Sequence, residues 1–124
     1  MARKRVLLVD DEASLTQILQ YALESTGSYE VRALNRAVRA LATARDFHPD
    51  VIVLDVMMPD LDGGSLAAQL EEDTELRRIP IVFLTAITTR EEIVDSHGAI
   101  AGRIFLAKPI DLHELLTCLE RCTE

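Results

Sequence analysis

Three carboxylates, a hydroxyl and an amine recur at one kind of place in this 124-residue sequence, just after short aliphatic runs. Asp10 and Asp11 follow Val6–Val9, Asp55 follows Val51–Leu54, Thr85 follows Ile81–Leu84, and Lys108 closes the run that starts at Arg103. Carboxylates gathered at one point repel one another unless a positive charge lies between them. An all-oxygen set without His or Cys suits a hard divalent cation, and Mg²⁺ is the usual one where a phosphate supplies further ligands. Lys108 as a point charge and Thr85 as a hydroxyl donor complete a set able to neutralise a phosphoryl group in transit. A carboxylate in the middle can itself be the nucleophile, giving an aspartyl phosphate. Asp55 stands alone after its run and is the candidate.

Each residue also has a plainer role. Acids after strands are often helix caps, as Asp11 and Asp111 would be, and a single Thr or Lys at a strand end is often structural. Asp60 and Asp62 fit a loop that Gly63 and Gly64 help to turn. His48, His97 and His113 are scattered as surface or capping residues, and Arg77-Arg78 suits a solvated connection. The signal lies in the coincidence of acids, hydroxyl and amine at four strand ends.

The elements that must position these groups are short strands alternating with helical patterns, five times over. The second run, Tyr29–Ala33, alternates apolar with charged residues as an edge strand does, whereas the first, third and fourth are nearly all aliphatic, as for parallel strands buried on both faces. Leu15, Ile18, Leu19, Ala22 and Leu23 mark a first helix, with Gly27 placed to stop it. Asn35 is placed to cap a second helix carrying Ala37, Ala40, Leu41 and Ala44. Leu66, Ala67 and Leu70 mark a third. Thr89 and Glu92 form a capping box for a fourth, and Asp111 caps a fifth carrying Leu112, Leu115, Leu116 and Leu119.

Five βα units with right-handed crossovers give a doubly wound α/β fold, a parallel sheet with helices on both faces. Of the two common open orders, five strands fit the flavodoxin-like order 2-1-3-4-5. In that order the first and third strands are neighbours, so Asp10, Asp11 and Asp55 meet where strand order reverses, which is where ligands bind such sheets.

Composition narrows the function. Asp and Glu total 21 against 13 Lys and Arg, a formal charge of -8, and aromatics are only 4% of residues. Such a chain repels a phosphate backbone and lacks stacking platforms, which argues against direct nucleic-acid binding. No apolar run nears the ~20 residues of a membrane span, and Val6–Val9 gives way at once to Asp10-Asp11-Glu12, unlike a signal peptide. Cys118 and Cys122 have no partners at zinc spacing and are expected as free thiols of a cytoplasmic protein.

Four segments together resemble the receiver domain of two-component response regulators over essentially the whole chain: Val9–Glu12, Leu54–Gly63, Leu84–Ala86 and Phe105–Pro109. The resemblance implies one receiver domain over 1–124; no effector domain is expected within this chain, which is either a stand-alone receiver or one domain of a larger protein. It implies that Asp55 accepts phosphate from a sensor histidine kinase or phosphotransfer protein, with Lys108 and Thr85 assisting. It further implies that Asp11, Asp55 and the Met57 carbonyl bind Mg²⁺ directly while Asp10 acts mainly through water. Thr85 and Phe105 would be the switch pair, the Lys108–Pro109 bond would be cis, and the face of the fourth helix, fifth strand and fifth helix would meet a downstream protein, an effector domain or a second copy. Ahead of Phe105 the run Ala101-Gly102-Arg103-Ile104 departs from the family's usual Gly-Ala-x-Asp.

Two other functions fit parts of the pattern. A Mg²⁺-dependent phosphohydrolase or nuclease on a similar sheet needs a further acid as general base, commonly Asp-x-Asp, which the adjacent Asp10-Asp11 pair does not supply. A receiver-like module that signals without phosphate would not need all five active residues.

Overall fold

A computed structural model describes residues 3–56, 63–85, 99–100 and 103–123. The elements run β1 (Lys4–Val9), α1 (Ala13–Ser25), β2 (Tyr29–Leu34), a 3₁₀ turn (Ala37–Arg39), α2 (Ala40–Phe47), β3 (Val51–Asp55), α3 (Gly63–Glu72), β4 (Ile81–Thr85), β5 (Ala99–Ile100), β6 (Arg103–Ala107) and α4 (Leu112–Cys122). The helix expected from Thr89 lies outside the described residues, so α4 is the helix that the sequence places fifth.

The sheet order is β2-β1-β3-β4-β6-β5. Its first five members pair in parallel, in the expected order 2-1-3-4-5. The two-residue β5 adds an antiparallel edge to β6 that the sequence pattern did not announce. Period-two alternation splits the core into two layers. Leu7, Val9, Ile52, Leu54 and Phe83 point to the side where Ala40, Ala44 and Phe47 of α2 and Leu66, Ala67 and Leu70 of α3 pack. Val6, Leu8, Val51, Val53, Val82 and Leu84 meet Leu19 and Leu23 of α1 and Leu115 and Leu119 of α4. At the edge, β2 buries Tyr29 and Val31 and exposes Glu30 and Arg32, as its alternation requires.

Helix ends follow local chemistry in most places. Gly27 turns the chain after α1 at φ 79°, a region that glycine enters without a Cβ penalty. Asp111 caps α4, its side chain accepting a hydrogen bond from Glu114 N at 3.1 Å. His48 closes α2 in the left-handed conformation, and His48, His113, Arg77 and Arg78 are all exposed. His97 lies outside the described residues.

Three expectations need correction. Ile18 is 65% exposed, because α1 turns Thr16 rather than Ile18 toward the sheet. Leu112 is likewise exposed at the start of α4. Asn35 does not cap α2: a 3₁₀ turn intervenes, its first residue is preceded by Arg36, and the Asn35 side chain is spent elsewhere. Cys118 and Cys122 are free thiols, as expected. Among the described residues no helix is long and apolar enough to cross a membrane.

Candidate functional site

Each candidate side chain stands where a buried aliphatic strand gives way to the rim. Register aligns Val9 of β1 with Leu54 of β3, so Asp10 and Asp55 emerge from neighbouring strands in step. Thr85 ends β4 opposite Ala107 of β6, and Lys108 N donates to Thr85 O at 2.9 Å, holding the two strand ends together. The Lys108–Pro109 peptide is cis, as the resemblance implied.

Asp10, Asp11 and Asp55 bring one carboxylate oxygen each within 4.8 Å of one another. Asp10, Asp55 and Thr85 are buried, and Asp11 faces solvent. Lys108 Nζ answers this charge from the fifth parallel strand, 2.9 Å from Asp10 Oδ2 and 3.5 Å from Asp55 Oδ2. Burial alone would lower the Lys108 pKa. Hydrogen bonds to Asp10 and Glu12 and the charges of Asp10 and Asp55 outweigh it, so the ammonium is held above its ordinary value of 10.5.

Two contributors, Glu12 and Asn35, were given no part in this site by the sequence reading. Glu12 Oε1 accepts from Lys108 Nζ at 3.1 Å, adding a fourth acid to the shell. Its position, next to the Asp pair and at the start of a helical pattern, was the available signal. Asn35 Nδ2 donates to Asp10 O at 2.8 Å and to Thr16 Oγ1 at 3.0 Å, tying the loop after β1 to the end of β2. Nothing local marked that long-range role. Asp10 Oδ1 accepts from Glu12 N at 2.9 Å, so one oxygen of Asp10 does organise the start of α1, the plainer role weighed for acids after strands.

The other oxygen fits a cation. Asp10 Oδ2 is buried and, beyond its ion pair with Lys108, accepts no well-directed hydrogen bond. The 4.8 Å spread lies close to the ~4.2 Å between opposite corners of a Mg²⁺ octahedron, twice its ~2.1 Å bond. Hard oxygen donors, a spare buried lone pair and a contractible spread therefore suit Mg²⁺. Met57 lies outside the described residues. Phe105 is half-buried on β6, its ring stacked on Phe83 of β4 with centroids 5.1 Å apart.

The fold and this rim define a class: a doubly wound domain on a five-stranded parallel sheet, with a carboxylate cluster answered by one lysine where strand order reverses. The chain belongs to the response regulator receiver domain family, whose family model matches residues 6–120. It is 38% identical over 107 residues to the response regulator PleD of Caulobacter vibrioides, covering 86% of this chain but only 23% of PleD. It is 29% identical over 119 residues to the polar-differentiation response regulator DivK of Brucella ovis, covering 94% of both. Among solved structures, the chemotaxis protein CheY4 of Vibrio cholerae superposes with a TM-score of 0.82 at 31% identity, covering 98% of this chain and 99% of that one. Receiver domains of this family are signalling switches rather than conventional enzymes, and they bind Mg²⁺ through acidic residues.

Proposed function

We propose that residues 1–124 act as a phosphorylation-activated switch in which Asp55 takes a phosphoryl group from a sensor histidine kinase or phosphotransfer protein. The observation that carries this is the Lys108 ammonium bracketed by Asp10 and Asp55 beside a third carboxylate, Asp11. One Asp55 oxygen attacks phosphorus as the bond to the donor's imidazole nitrogen breaks, and the imidazole leaves with that electron pair. Mg²⁺ held by Asp11, Asp55 and the Met57 carbonyl, with Asp10 behind it, would offset the charge of the phosphoryl oxygens. Lys108 turns from Asp55 toward the new phosphoryl oxygens, and the Thr85 hydroxyl donates to another. The chain thus assists only its own phosphorylation and dephosphorylation, and its setting is the cytoplasm.

Drawing Thr85 inward favours deeper burial of the Phe105 ring, worth on the order of 1.5–3 kcal/mol for a Phe side chain, enough to bias a two-state element. Output then appears on the face of the helix expected from Thr89, β6 and α4, where a downstream protein, an effector domain or a second copy would dock. Incubation with a small acyl phosphate and Mg²⁺ should add one phosphoryl group, acid-stable and base-labile, and Asp55→Asn should abolish it while keeping the fold. Stoichiometric labelling of that variant would overturn the assignment. A beryllofluoride-type mimic should shift NMR signals of Phe105 and of the helix expected from Thr89; changes confined to α1 and α2, with those two silent, would refute the output face.

A further inference from the structure

β2 is an outer strand of the sheet, and α1 supplies side chains to its free edge. Lys4 N donates to Ser28 O and Asp10 N to Leu34 O, so the even-numbered residues of this stretch turn their backbone groups to β1. Tyr29, Val31 and Ala33 therefore turn theirs outward, since backbone groups alternate in direction along a strand. Two α1 side chains one helical turn apart hold the middle residue. Gln20 Nε2 donates to Val31 O at 3.1 Å, and Val31 N donates to Glu24 Oε2 at 3.2 Å. Together they imitate a neighbouring strand, which would offer Val31 one donor and one acceptor. An uncovered strand edge is a template for pairing with another chain.

The residues of this edge fit a second copy of themselves. Antiparallel strands centred on Val31 set Val31 opposite Val31, Tyr29 opposite Ala33 and Glu30 opposite Arg32. The outward-facing residues then exchange both backbone hydrogen bonds, and Glu30 and Arg32 fall at the positions between, where facing side chains lie closest. Opposite charges directly across two strands attract, and like charges repel. Both side chains are exposed on the α2 side of β2: Arg32 lies 4.6 Å over the Phe47 ring, and Glu30 Oε1 is 4.0 Å from Arg5 Nε. Charge also selects the register. Sliding one strand by two residues sets Glu30 against Glu30 in one direction and Arg32 against Arg32 in the other.

We propose that the outer edge of β2 is a docking surface for a second copy of this chain, antiparallel and centred on Val31, which Gln20 and Glu24 hold closed. The pairing is isologous: each copy offers the same edge, so two copies complete it and no third can join there. Both side chains must leave Val31 before its N–H and C=O can meet those of the second copy, so α1 governs access to the edge. Sheet order puts β2 at the end away from β4 and β6, so strand pairing there does not occupy the strand that carries Lys108 to the rim.

The test is sedimentation of the whole, unphosphorylated chain. Gln20→Ala combined with Glu24→Ala opens the edge while keeping a strong helix former at both positions of α1. This variant should self-associate on the order of tenfold more tightly than the parent, reach twice the parent's mass, and slow its amide exchange at Tyr29 and Ala33 as it does so. In that background Glu30→Arg and Arg32→Glu should each abolish pairing, by setting two arginines or two glutamates across from each other. An equimolar mixture of those two chains should pair again, because every arginine then faces a glutamate. An opened variant that stays monomeric, a dimer indifferent to both charge reversals, a mixture that fails to pair, or open-ended oligomers would each overturn the proposal. None of these readouts depends on Asp55.

Discussion

Replacing Lys108 by Met keeps length and removes the charge, leaving Asp10 and Asp55 to face each other across a buried gap. At an effective dielectric of about 20, an ion pair at 2.9 Å is worth about 6 kcal/mol and one at 3.5 Å about 5 kcal/mol before the cost of desolvating the ammonium. Removing one partner of a buried pair costs about 3–5 kcal/mol, because the other charge is left uncompensated. Asp10 keeps its bond from Glu12 N, and the Lys108 side chain retains 15% of its accessibility, which puts the cost near the low end, about 3 kcal/mol. A chain of this size has about 6–19 kcal/mol to lose from, so the variant folds, with a urea midpoint lower by about 1–2 M at neutral pH. Because the Lys108 pKa is raised on folding, its contribution is complete below about 10.5 and fades only as pH climbs beyond that, so neutral pH reads all of it. Mg²⁺ supplies the missing positive charge, and at 100-fold excess over its dissociation constant a native-only ligand adds about 2.7 kcal/mol. Titrating Mg²⁺ into urea-unfolding samples should therefore raise the midpoint more in Lys108→Met than in the parent. Equal midpoints without the ion, or equal gains with it, would refute the electrostatic account of this rim.

Met57→Glu places a carboxylate, able to act as a general base toward water, two residues after Asp55. Met57 and Ile87, two residues after Asp55 and Thr85, are apolar and offer no general base, so the parent's aspartyl phosphate should decay slowly; in the variant loss should quicken, on the order of tenfold and well short of the ~10²–10⁴ of a fully positioned general base, and an unchanged decay in a radiolabel chase would count against this reading. Asn35→Ala should cost about 1 kcal/mol in chemical unfolding by freeing Asp10 O and Thr16 Oγ1, and an unmoved midpoint would show that water replaces the amide. Arg45 Nε donates to Asp73 Oδ2 at 3.0 Å, and this bond, ahead of one from Glu75 N, holds the Asp73 pKa below 3.8. The resulting stability is present above that value and lost as pH falls through the lowered one. Parent and Arg45→Leu should thus converge on acidification; a gap that widens below pH 4 would contradict the pairing.

The five parallel strands were legible because a strand buried on both faces must be written as a continuous aliphatic run. The rim residues were legible for the same reason: the switch from Leu54 to Asp55, or from Val9 to Asp10, marks a strand end and a change of solvent at once. What escaped was set by partners distant in sequence. Asn35 suits a cap by its chemistry, yet an acceptor 25 residues away claims its amide. Thr16 is buried because Ala13 O and Asn35 satisfy its hydroxyl, and that rotates the apolar stripe of α1 away from Ile18. A two-residue strand such as β5 is too short to carry a period at all.

All three clustered carboxylates lie within the first 55 residues, while the ammonium between them arrives 53 residues after the last of these. Synthesis from the N-terminus therefore builds an acidic rim before its internal counter-charge exists. Until β6 docks beside β4, the ends of β1 and β3 repel each other just where the sheet must zip closed. Docking of β6 is then the electrostatic latch that brings the Lys108 ammonium to the ends of β1 and β3.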